Sequence, residues 1–92
     1  MEDYSRRNEI NSILNAVIND LKEASRNDNK YDNISLYNKS QAQNYLDKYT
    51  KSLKHAESGL KLIENAYDTE IILNDEKLKE KFDEIQKLKR SV

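Results

Sequence analysis

The chain has no cysteine, no proline and no tryptophan, and only one glycine and one methionine among 92 residues. The absence of cysteine excludes a disulfide framework and a zinc–thiolate site. The absence of proline, with Gly59 as the lone glycine, argues against turn-rich sheet structure and for long, uninterrupted helices. It also leaves no glycine-rich phosphate loop. Long hydrophobic runs are missing too: the longest without Ala or Tyr is Ile71–Leu73, whereas a membrane-spanning helix needs about 20 apolar residues. Met1 to Ile10 is polar and charged and lacks the apolar centre of a secretory signal, which predicts a cytoplasmic protein with no membrane association. Charge is nearly balanced at −1. What is present is modest: Leu, Ile, Val and Phe together number 21, just above the level below which disorder is expected. A single small helical domain over residues 1–92 follows, with a limited core. The bias towards Asn, Lys, Ile and Tyr suits an AT-rich genome, such as that of a low-GC bacterium or its phage.

The strongest pattern runs from Ser40 to Asp68. Ala42, Leu46, Tyr49, Leu53, Ala56, Leu60, Ile63 and Tyr67 follow a 4-3-4-3-4-3-4 spacing without a slip, the seam of a helix packed along its whole length. With the leucines at heptad position a, the row beside the seam reads Tyr45, Ser52, Gly59, Ala66. Three of these four are small, which predicts a second helix lying close on that side. Ser40 and Gln43 have capping-box spacing. An earlier helix is predicted over about 3–26, with apolar positions Ile10, Ile13, Leu14, Val17, Ile18, Leu21 and Ala24. So wide a stripe belongs to a helix touching two neighbours. Asn27-Asp28-Asn29 reads as its stop. A third helix, about 75–90, starts from a cap at Asn74 or Asp75 and buries Leu78, Phe82, Ile85 and Leu88. Residues 68–74 are read as a corner with Ile71–Leu73 tucked under the bundle end. The alternative is one continuous helix through 68–74. The expected fold is all-α, a three-helix antiparallel bundle with long coiled-coil-like helices.

No constellation carries chemistry. His55 is the only histidine, at an outward position beside Lys51 and Lys54, and Ser52 stands where a bundle di-metal site would need Glu. Asp47–Lys51, Glu57–Lys61 and Asp83–Lys87 have the spacing of helical ion pairs, so the acids read as a solvated face. Asp28 to Lys39 fails as a calcium loop, with Asn33 in the glycine place and Lys39 in the bidentate place. No enzyme, cofactor or metal is predicted.

The expected function is therefore that of a non-enzymatic protein–protein interaction module, an inhibitor or adaptor that occupies a protein partner. Residues 27–39 form a long connection by this reading, since two to eight residues are usual between packed helices. It carries Tyr31, Ile34, Leu36 and Tyr37, with Tyr45 nearby on the second helix. These five residues are the predicted partner-binding set. The competing reading is a loop that folds over the bundle end. Two other functions stay open: nucleic-acid binding through Arg6, Arg7, Lys48, Lys51 and Lys54, against which the absence of a basic excess counts, and small-ligand or nucleotide binding at a helix or subunit interface. Self-association to a homodimer or higher oligomer is expected, because the second helix outruns the third and leaves part of its seam uncovered.

Overall fold

The computed structural model describes the backbone of residues 2–66 and 69–91, and the side chains of 6–65 and 70–90. The chain is all-α: α1 spans Glu2–Ile34, α2 Lys39–Ala66, α3 Thr69–Leu73 and α4 Glu76–Ser91. Packing starts from α1, which lies against both α2 and α4. Its stripe is wide for this reason: Ile10, Leu14, Val17, Ile18 and Leu21 are all buried, and Ile13 packs against the same core.

α1 and α2 form a long hairpin. The connection between them spans only residues 35–38, so α2 must return antiparallel to α1. Gly59 faces Val17 and Ile13, which fixes the register and gives the lone glycine its reason: α1 is the close neighbour that the small-residue row calls for. Along α2 the d row is the inner one, with Ala42, Ala56 and Ile63 buried. The a row of Leu46, Leu53 and Leu60 is only half-buried. Tyr67 and Asp68, the expected end of this helix, lie outside the described residues.

α4 runs beside α1 in the same direction. Arg7 Nε is 3.7 Å from Asp75 Oδ2, Lys81 donates to Asn11, and Lys22 Nζ is 3.6 Å from Glu84 Oε1. The Cα traces of α2 and α4 scarcely approach one another. Asp75 caps α4 as expected, its Oδ1 accepting from the backbone N–H of Lys77 and Leu78. The corner before it contains the short helix α3. There Ile72 is buried, Ile71 is half-buried and packed against the core, and Leu73 points into solvent, so two of the three residues of the run are tucked.

Two expectations are corrected. The first helix does not stop at Arg26 but continues to Ile34, and the thirteen-residue connection shrinks to Ser35–Asn38. The Asn-Asp-Asn run does not break the helix because Asn27 is drawn into it. Its Nδ2 donates to Glu23 O at 3.0 Å and Glu23 Oε1 at 3.3 Å, and the residue is buried at 2% exposure. Tyr31 and Ile34, both half-buried, then carry the stripe another two turns. Asn, Asp and Asn each cost about 0.6 kcal/mol relative to Ala in a helix, a penalty that partial burial of two large side chains offsets. The second correction concerns the cap of α2, which is Asn38 rather than Ser40. Asn38 Oδ1 accepts from Gln41 N at 3.1 Å, and its carbonyl accepts from Ala42 N. Ser40 is already inside the helix.

Candidate interaction site at the hairpin tip

The molecule is a rod of 54 × 18 × 16 Å, and the length of α1, roughly 50 Å for its turn count, accounts for its long dimension. Its two ends differ. At one, α1, α2 and α4 lie side by side. At the other, α4 has ended: Lys89, near its C-terminus, stands level with Leu21 and Leu53. From about residue 24 to the turn, α1 and α2 form a two-helix arm that projects roughly 15–20 Å beyond α4.

The sequence encodes this change. Arg7, Asn11 and Lys22 of α1 meet α4 and its cap, and the next positions along the same face are Ser25, Asn29 and Asp32. The wide apolar stripe thus narrows to Ala24, Asn27, Tyr31 and Ile34, enough for one neighbour.

At the end of the arm the chain turns tightly. Ile34 O accepts from both Tyr37 N and Asn38 N, and Ser35 N donates to Tyr31 O. Side chains in this turn have no helix to pack against, and Leu36 and Tyr37 stand 90% and 85% exposed. The predicted partner-binding set therefore divides. Leu36 and Tyr37 form an apolar point at the tip. Tyr31 and Ile34 lie on the stripe between the two helices. Tyr45 is held as a clamp: Lys30 Nζ lies 5.6 Å and Lys48 Nζ 5.8 Å from its ring centroid, and Gln41 Nε2 donates to its hydroxyl at 3.2 Å.

A further signal, overlooked in reading the sequence by helical period, marks the same place. The fourteen residues Asn33 to Leu46 carry one charge, Lys39, in a chain of which 36% is charged. Around Leu36 and Tyr37 the exposed side chains are mostly uncharged, Asn33, Asn38, Ser40, Gln41, Gln43 and Asn44, with Lys39 among them and Asp32 at the edge. The other charge-poor stretch, Ile10 to Asn19, supplies the buried core, so its composition has a structural cause. At the tip no core explains it. The tip thus combines an exposed apolar centre with a largely uncharged polar rim.

The alternative basic set is not brought together. Val17 is level with Gly59, so Lys48 is level with about residue 28, roughly 30 Å along the rod from Arg7. Arg7 instead faces a polar hollow at the other end, with Asn11, Asp75, Lys77 and Lys81. Lys51, Lys54 and His55 line a shallow hollow on the outer face of α2 with Asp47 and Thr50. Asp47 accepts from Gln43 at 2.9 Å and forms no ion pair with Lys51, nor does Glu57 with Lys61. Glu23 gathers the charges of the arm's base. Its carboxyl is held below the ordinary value, chiefly by the hydrogen bond from Arg26, then by the charge of Arg26. Among the described residues no group of three or more His, Asp or Glu could hold a metal ion, and no helix is long and apolar enough to cross a membrane. Comparison of the chain with known protein families, with curated proteins and with solved structures finds no significant match.

Proposed function

We propose that this is a non-enzymatic binding module, an adaptor or inhibitor, that inserts the tip of its helical arm into a concave apolar site of a protein partner. The observation that carries the reading is the pair Leu36 and Tyr37, almost fully exposed at the convex end of a rod and surrounded mostly by uncharged polar side chains. Such a point enters a pocket while desolvating little charge, Lys39 being the one charged side chain of Asn33 to Leu46, and large exposed apolar and aromatic side chains are what interfaces concentrate their energy on. The three long helices serve as its base, an up-down-up antiparallel bundle in which α4 stiffens the root of the arm. The ion pairs Arg7–Asp75 and Lys22–Glu84 support that arrangement. A nucleic-acid role draws less support from the placement of its residues: Lys48, Lys51 and Lys54 lie together within two turns of α2, but Arg6 and Arg7 stand roughly 30 Å away along the rod.

The test places a photo-reactive residue at position 37, with a second at His55 as a control, in the source cell. A protein captured from 37 and not from 55, and bound directly by the purified chain, is expected. Leu36→Ala and Tyr37→Ala should each weaken that complex by about 1–3 kcal/mol and leave the Tm of the free protein unchanged, since neither side chain is buried. Equal capture from both positions, or binding indifferent to both substitutions, would overturn the reading.

A further inference from the structure

A second surface is left open at the base, independent of the tip. α2 and α4 flank α1 without closing on each other, and the gap between them is a cleft of about 180 Å³. α1 supplies its floor through Leu21. One wall is α2, with Leu53, Ala56, Glu57 and Leu60, and the other is α4, with Lys89. Leu53 and Leu60, the half-buried leucines of α2 at this level, open into it. Glu57 and Lys89 stand exposed on opposite walls, and neither is engaged in an ion pair within the chain among the described residues.

We propose that a second copy of this chain covers the cleft, with the two-fold axis running along it. The charges select this arrangement. Rotation about an axis along the cleft sets α2 of one copy over α4 of the other at the same level, so each Glu57 meets the partner copy's Lys89 twice over by symmetry. Rotation about an axis across the cleft would set α2 on α2 and bring the two Glu57 carboxylates together, which like-charge repulsion disfavours. In the favoured arrangement every neighbouring pair among the four helices is antiparallel, because α2 runs against α1 and α4 runs with α1. The leucines of two open three-helix layers then close over one another as a four-helix core. The arms project in the same direction from this core, presenting two copies of the tip.

Sedimentation equilibrium of the whole chain at high micromolar concentration tests this. Twice the monomer mass of 10.8 kDa is expected. Glu57→Lys places Lys opposite Lys at both symmetry-related contacts, and Lys89→Glu places Glu opposite Glu. Each variant alone should weaken the dimer about tenfold, the order of two rim pairs turned from attraction to repulsion. Both residues are exposed, and unchanged circular dichroism checks that each variant folds. When the two variants are mixed in equal amounts, opposite charges face each other again at both contacts of the mixed dimer. At one, the lysine introduced by Glu57→Lys meets the glutamate introduced by Lys89→Glu. At the other, the unaltered Lys89 of the first variant meets the unaltered Glu57 of the second. Dimerisation should return to the wild-type level. A monomeric wild type overturns the proposal, and so does a mixture no more dimeric than its components.

Discussion

Gly59 shows how a single position ties helix chemistry to packing. A methyl group there would sit 2.6 Å from Val17 Cγ2 and 3.6 Å from Ile13 Cγ2. Val17 is buried, and a β-branched side chain in a helix has essentially one rotamer, so it has no easy retreat. Gly59→Ala gains about 1 kcal/mol of helix propensity and meets overpacking of about 1–3 kcal/mol. The expected net effect in urea unfolding is a loss of about 1 kcal/mol. A double-mutant cycle with Val17→Ala separates the two contributions: the pair should be less damaging than the sum of its parts by about 1 kcal/mol or more. Gly59→Ala raising stability would mean that the helices separate freely at this level. The packing role of Gly59 is legible in the sequence, because the row Tyr45, Ser52, Gly59, Ala66 has no other use.

At the scale of elements, legibility depended on whether a boundary was set by propensity or by packing. The cap at Asp75, the helical character of all three long segments and the heptad seam of α2 follow from local chemistry and spacing. The end of α1 does not. Asn27, Asp28 and Asn29 have the composition of a helix stop, and only the presence of α2 beside Tyr31 and Ile34 carries α1 through them. The 3-4 spacing of Ala24, Asn27, Tyr31 and Ile34 holds the clue, hidden by an amide at a seam position. A polar residue in a helix seam commonly fixes register at a cost in stability. Asn27→Leu, close in size, removes a buried amide while Glu23 O keeps its backbone hydrogen-bond partner. Chemical denaturation should show a gain of about 0.5–2 kcal/mol. A loss beyond about 1 kcal/mol would show that the amide holds the hairpin through its contact with Glu23. The tip was half legible: the excess of large side chains picked out Leu36 and Tyr37, but period and composition could not distinguish them from Tyr31, Ile34 and Tyr45, whose surroundings depend on where α1 ends.

For the whole molecule, the division into a three-helix base and a two-helix arm predicts unequal stability along continuous helices. α1 buries Ile10, Leu14, Val17, Ile18 and Leu21 in the base, and beyond them only Ala24 and Asn27. Local opening is governed by the buried contacts it breaks rather than by helix length, so the arm should open without the base. In native-state hydrogen exchange, amides of residues 28–34 and 43–48 should be protected at least about tenfold less than those of 14–21 and 56–63. Tenfold corresponds to about 1.4 kcal/mol. α4 should follow the base, because Ile85 and Leu78 are buried against it. Uniform protection along α1 would mean that the hairpin opens as one unit and that α4 contributes little to its root. The same experiment separates the two proposed surfaces. A partner seated on Leu36 and Tyr37 slows exchange in the arm first, because that is where the free energy of opening is lowest. A second copy seated on Leu53 and Leu60 raises protection in the base and leaves the arm as it was. Exchange measured across protein concentration and then with a captured partner therefore reads each surface by its own end of the rod.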